Sequence, residues 1–155
     1  MRPEDLYHVG IVAADFDAGM TRLVSLLGVR WGDVLETQTP VRDPSDGRKE
    51  LMPMRVAYTI DAPHLELIEE VPGSIWTCNP YSNLHHIGYW SSLQDDSLRL
   101  GRSNCPAEVT GWSDGMQAPQ IFAYHLEPLG IRIELVDEAL RLGMETEWRV
   151  RGGNP

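Results

Sequence analysis

Apolar residues recur along this chain in two rhythms, and the rhythms return in the same order. "LYHVGIVA" (6–13) is rich in β-branched residues and reads as a strand. After Asp15, a suitable N-cap, Phe16, Met20, Leu23, Val24 and Leu27 fall at helical spacing, and Gly28 supplies the stop. Three strands are predicted next, over "DVLETQ" (33–38), "MRVAYTI" (54–60) and "HLELIE" (64–69), with Asp61-Ala62-Pro63 turning between the last two. The order then restarts with a strand at "LHHIGYW" (84–90) and a helix over Leu93–Arg102. Strands follow at "AEVTGW" (107–112), "QIFAYHL" (120–126) and "IRIELV" (131–136), the last two joined by a turn at Pro128-Leu129-Gly130. "DEALRLGMETEW" (137–148) predicts a short closing helix, and "RVRGGNP" (149–155) a disordered tail.

The repetition extends to individual residues. His8/His86, Val9/Ile87, Gly10/Gly88, Asp17/Asp95 and Met20/Leu98 align at a constant offset of 86 − 8 = 78. Leu65/Ile133, Glu66/Glu134, Leu67/Leu135 and Ile68/Val136 align at 134 − 66 = 68. The first copy therefore holds about ten more residues between its His and its Glu, and the polar stretch 39–50, with its Pro and Gly, is the natural place for them. Two units of strand, helix and three strands follow, about 5–70 and 84–138, within one domain of 155 residues, the closing helix and tail taking 137–155.

Composition narrows the function classes. A hydrophobic fraction of 42% indicates a globular chain, and a formal charge of −10 disfavours nucleic acid and anionic membrane as partners. The N-terminal residues contain no apolar core of a signal peptide, and no run of about 20 apolar residues is present to span a bilayer. Cys78 and Cys105 form no metal-type cluster and read as reduced thiols, so a cytoplasmic location is expected.

Strand alternation places His8 with Leu6, Gly10 and Val12, and His86 with Leu84, Gly88 and Trp90. Glu66 and Glu134 stand opposite the apolar pairs Leu65/Leu67 and Ile133/Leu135. Alternation leaves open which face meets the helices. Duplication adds that each unit contributes one His and one Glu at matching places, so a pseudo-twofold axis can gather all four. By the same alternation His85 points to the opposite face from His86, while Glu69 and Glu70 end their strand in solvent.

"HVGIVAADFDAGM", "LELIE", "LHHIGYW" and "LEPLGIRIELVD" resemble the vicinal oxygen chelate superfamily, which holds glyoxalases, bleomycin-resistance proteins and extradiol dioxygenases. The similarity spans about residues 5–138 and is greatest to the methylmalonyl-CoA epimerase-like branch. It implies an α+β fold in which two tandem βαβββ modules form a curved mixed sheet around a metal-centred cavity. Carried over by position, the implied metal ligands are His8, Glu66, His86 and Glu134, holding one divalent ion drawn from Zn, Ni, Co, Mn or Fe(II).

The resemblance implies an isomerase, epimerase or lyase that passes through a metal-stabilised enolate of a carbonyl or thioester substrate. Glu66 or Glu134 would then be the catalytic base. A small-molecule substrate and a homodimer are implied with it. The alternatives are a non-catalytic binding or sequestration protein on the same fold and an Fe(II) extradiol-type dioxygenase. Val12 stands where glyoxalase I usually carries an Arg for glutathione. Arg55 stands where the epimerases commonly carry a further acid, and it is either a fork for a substrate carboxylate or an outward surface residue. Trp90, Arg55, Tyr58, Met54 and Phe122 are the expected pocket residues; His64 and His125 are candidates for support around the metal. A broad apolar pocket would suit a bulky carbonyl compound.

Overall fold

The structure is a computed structural model and describes residues 1–152. After a short 3-10 turn at Pro3–Asp5, the first unit runs β1 (Leu6–Ala13), α1 (Phe16–Leu27), β2 (Leu35–Arg42), β3 (Lys49–Tyr58) and β4 (His64–Glu69). The second runs β5 (Leu84–Ser91), α2 (Leu93–Arg102), β6 (Ala107–Gly111), β7 (Phe122–Leu126) and β8 (Arg132–Asp137). A 3-10 turn at Glu138–Leu140 leads into α3 (Arg141–Gly152). The helix thus continues through 149–152, where the sequence suggested a disordered tail; the rest of that stretch, 153–155, lies outside the described residues.

The helix signals work as their chemistry predicts. The Asp15 side chain accepts from Ala18 N at 2.9 Å, and Gly28 ends α1 at φ 67°, a left-handed conformation that glycine enters without a Cβ clash. Within each unit the first strand pairs in parallel with the last, β1 with β4 and β5 with β8, and the other pairs are antiparallel. Two antiparallel seams, β1 with β5 and β2 with β6, join the units into one closed eight-stranded barrel.

The additional length of the first unit is only partly loop, a turn at 43–48. β2 and β3 extend through it as a long hairpin whose strands run to Arg42 and restart at Lys49. Val41 and Arg42 then close the barrel by pairing with Gly111 and Thr110. Pro40 and Pro53 hide this extension from a strand reading, since proline donates no ladder hydrogen bond. It is tolerated because β2 meets β6 only at 41–42 and β3 meets β4 only at 56–58, leaving one side of Pro40 and one side of Pro53 without a strand partner.

The faces left open by alternation are settled by packing. Leu67, Ala13 and Ala57 pack with Phe16 of α1, while Leu135 and Ala123 pack with Leu93 and Leu100 of α2, so this face is outward. The inner face carries Val12, Ile68, Val136, Phe122 and Tyr124, and Trp76, from the connection between β4 and β5, packs against them. α3 lies across one end, its Trp148 ring 3.9 Å from the ring of His64. Among the described residues no helix is long and apolar enough to cross a membrane.

Candidate metal centre

The β1–β5 seam sets the geometry of the site. His8 pairs with Gly88 and Gly10 with His86, so each imidazole lies over the glycine of the other unit. A Cβ on Gly10 would stand 1.8 Å from His86 Cε1, and one on Gly88 would stand 1.9 Å from His8 Cε1. Glycine at these positions is a packing requirement, because the ring occupies the space a side chain would take.

On the flanking strands Glu66 pairs across from Gly10 and Glu134 across from Gly88. All four side chains are buried, and one ligand-type atom from each lies within 4.8 Å of the others. His8 Nε2 is 2.7 Å from His86 Nε2, and Glu134 Oε2 is 2.9 Å and 3.2 Å from these two nitrogens. Glu66 Oε2 is 3.0 Å from His86 Nε2 and 3.5 Å from His8 Nε2. Neither Oε2 has a well-formed hydrogen bond.

Two carboxylates in a dry interior require positive charge beside them. Burial alone would lower the His86 pKa, but contact with Glu134 and Glu66 outweighs it and holds the group at about 9. His8 is raised in the same way. Burial would raise Glu66 and Glu134, and the repulsion of Glu66 adds to this for Glu134; the two histidines nevertheless keep both carboxyls below their ordinary range. The arrangement also fits a divalent ion. Ligand atoms about 2.1 Å from an ion at right angles stand about 3.0 Å apart, and the contacts here are 2.7–3.5 Å.

A second circle of residues holds the first. The Tyr58 hydroxyl donates to Glu66 Oε1, leaving Oε2 toward the centre. Tyr124 takes the equivalent place opposite Glu134, its hydroxyl beside that carboxylate. Burial, reinforced by the two carboxylates, pushes Tyr7, Tyr58 and Tyr124 well above the ordinary phenol value, so all three are neutral donors.

His85 does not turn away from His86. Gly10 pairs with His86 but Ile11 with Leu84, so His85 is the additional residue of a β-bulge, which re-aims its side chain. Its Nε2 is 2.8 Å from Ile75 O and its Nδ1 is 2.9 Å from His86 Nδ1. A carbonyl only accepts, so His85 Nε2 carries the proton. Burial, then the neighbouring His86, lowers His85 to about 4, so it is neutral and its Nδ1 accepts. His86 Nδ1 therefore donates, and a neutral His86 presents its Nε2 lone pair to the centre. Tyr7 is the matching bulge residue in β1, turned inward and stacked on Trp90 at 3.8 Å.

A cavity of about 390 Å3 opens beside the cluster and is lined by both Glu66 and Glu134. Of the expected pocket residues, Met54, Tyr58 and Phe122 line it. Arg55 does not. Its guanidinium lies over the Phe16 ring and pairs with Asp17 at 2.8 Å and Glu36 at 3.3 Å on the outer face. The reason is parity, since Met54, Val56 and Tyr58 point inward and Arg55 and Ala57 outward. Trp90 is inside the barrel but shielded from the cavity by Tyr7. His64 is paired with His8 across β1 and β4, but its ring bonds Thr59 O, and His125 bonds Cys105 O and Ser97, so neither ring holds a ligand-type side chain by a hydrogen bond. Glu70 is not an idle strand end, for its carboxylate accepts from Cys78 N at 2.8 Å.

Sequence reasoning missed Tyr7, turned His85 away, and placed Tyr124 among the aromatic residues near the cavity without giving it a role beside Glu134. The duplicated dipeptide Ala57-Tyr58 and Ala123-Tyr124 was a signal for the last of these.

Comparison with known proteins agrees with this architecture. Comparison with curated protein sequences gives no match. Among solved structures, a methylmalonyl-CoA epimerase bound to methylmalonyl-CoA and NH4+ superposes at TM-score 0.57 and 16% identity, over 87% of this chain and 94% of that one. A Streptomyces coelicolor methylmalonyl-CoA epimerase variant with 2-nitronate-propionyl-CoA gives 0.57 and 16%, over 87% and 97%. The Mycobacterium tuberculosis methylmalonyl-CoA epimerase gives 0.53 and 18%, over 90% and 91%. At such identities the likeness is one of fold. The profile described as the Glyoxalase/Bleomycin resistance protein/Dioxygenase superfamily matches residues 7–124, most of both units, and the chain belongs to that superfamily.

Proposed function

We propose that this chain is a metal-dependent isomerase or epimerase acting on a carbonyl or thioester compound through its enolate. The observation that carries the reading is the double position of Glu66 and Glu134. One from each unit, they meet at the His8–His86 cluster and also face one cavity. His8, Glu66, His86 and Glu134 would hold the ion, and their two imidazoles and two carboxylates suit Zn, Ni, Co, Mn or Fe(II). When bound, it supplies a Lewis acid that polarises a carbonyl and balances the negative charge developing on its oxygen.

The chain's own residues handle the proton. A carboxylate oxygen of Glu66 or Glu134 accepts the proton from the carbon beside the carbonyl, and the C–H electron pair passes into the enolate. The other glutamate, ionised at rest, relays a proton from solvent to the opposite face, which inverts the centre; delivery to a different carbon isomerises the substrate. Tyr58 keeps one Glu66 oxygen hydrogen-bonded, orienting the other.

Solvent deuterium exchange into an acidic C–H, followed by NMR, tests the assignment. Glu66→Gln and Glu134→Gln should each slow exchange by roughly 10²–10⁴-fold; undiminished exchange in both would sink the reading. A homodimer belongs to the same proposal, and sedimentation equilibrium measures it.

A further inference from the structure

We propose that the substrate is an uncharged, largely apolar carbonyl compound, aromatic or similarly bulky, and not a carboxylate or a CoA thioester. This inference rests on the enolate reading and adds the substrate class to it.

Three observations lead there. First, among the described residues lining the cavity, Glu66 and Glu134 are the only charged ones. A divalent ion would neutralise that pair, so a substrate carboxylate would bring unbalanced negative charge among phenol rings and methionines. Burying such a charge without a partner is strongly disfavoured. Arg55, beside Met54 in sequence, is committed outside to Asp17, Glu36 and Glu69, and Arg141, beside Leu140, pairs with Glu145.

Second, the wall is aromatic and sulfur-rich. Tyr7, Tyr58, Trp76, Phe122, Tyr124 and Met54 surround the opening, and about 390 Å3 falls within the range of small-molecule sites. Such surfaces gain from burying flat apolar groups. Third, the polar groups offered are neutral donors. Tyr7 Oη and Trp76 Nε1 are buried beside Tyr58 and Tyr124 without closing a well-formed hydrogen bond. Buried donors seek acceptors, and a ligand carbonyl or hydroxyl oxygen supplies one without bringing charge. Thr37, Gln38 and Thr39 make the other polar end, again neutral.

The test uses the full chain loaded with divalent metal and three probes. Benzoin is uncharged and aromatic, with vicinal oxygens and an exchangeable carbinol C–H. Mandelate shares its ring and vicinal oxygens but carries a carboxylate. Methylmalonyl-CoA carries the carboxylate on a CoA thioester. Calorimetry should show benzoin binding at least about tenfold more tightly than either anion. Thr37→Arg, which places a cation at the polar end, should narrow or reverse that preference. Mandelate or methylmalonyl-CoA binding as tightly as benzoin would overturn the proposal, as would a Thr37→Arg variant whose preference is unchanged. Deuterium exchange separates the two readings. Tight benzoin binding without exchange at its carbinol carbon supports the substrate class while removing the isomerase. Faster exchange into methylmalonyl-CoA keeps the chemistry and overturns the class.

Discussion

Adding one methyl group at Gly10 tests the whole construction of the site. In Gly10→Ala the new Cβ would lie 1.8 Å from His86 Cε1. Carbon atoms pack at about 3.5–4.0 Å, so the ring must retreat about 1.7 Å, or β1 and β5 must part by a comparable amount. Metal–ligand bonds tolerate displacements of about 0.2 Å, so neither escape leaves His86 a ligand. Overpacking of this kind costs about 1–3 kcal/mol of stability. Losing the ligand should weaken metal binding at least about 100-fold, about 3 kcal/mol. Chelator competition gives the metal affinity and urea denaturation the stability. Gly88→Ala should behave alike through His8. Gly101→Ala serves as control, since Gly101 lies in α2 and a methyl group there would meet nothing within 4 Å. It should be neutral or stabilising by up to about 1 kcal/mol. Metal affinity in Gly10→Ala within about threefold of the parent, equivalent to under about 1 kcal/mol, would refute the reasoning.

Three further outcomes follow from the surrounding contacts. His85→Ala removes the acceptor that fixes the His86 tautomer and should weaken metal binding by about 10–100-fold while the far-ultraviolet circular dichroism stays the same; an unchanged affinity would show that His85 only fills space. Tyr58→Phe leaves Glu66 Oε1 buried without its donor and should destabilise the protein by about 1–3 kcal/mol in denaturant titration, where a neutral effect would count against that contact. Metal uptake should release protons at neutral pH, because Glu134 and Glu66 outweigh burial and hold His86 protonated up to about 9. Affinity should therefore rise with pH toward that value and level off above it, and a calorimetric enthalpy independent of buffer ionisation heat would contradict this.

Much of this site is legible in the chain itself. His8, Glu66, His86 and Glu134 announce themselves because duplication supplies what strand alternation lacks, a reason for two polar pairs to meet. The helices are equally plain, since Asp15 and Gly28 act through local geometry. What escapes lies where local rules are broken or were not applied. Alternation turns His85 away from His86, but a bulge, visible only once both strands are in register, turns it back. In sequence Arg55 stands open between a carboxylate fork and the outer surface; its parity, opposite to that of Met54 and Tyr58, puts it outside with Asp17 and Glu36. The long β2–β3 hairpin stayed hidden because its pairing with Gly111 and Thr110 is a contact distant in sequence.

The crossed seating of each histidine on the other unit's glycine also constrains how such a sequence can change over time. A substitution at residue 10 is judged by the side chain at 86, and one at 88 by the side chain at 8. The two halves of this duplicated chain are therefore not free to drift apart here. A larger residue under either ring can be accepted only after the ring above it has been given up, so the loss of one glycine foretells the loss of a histidine in the opposite copy.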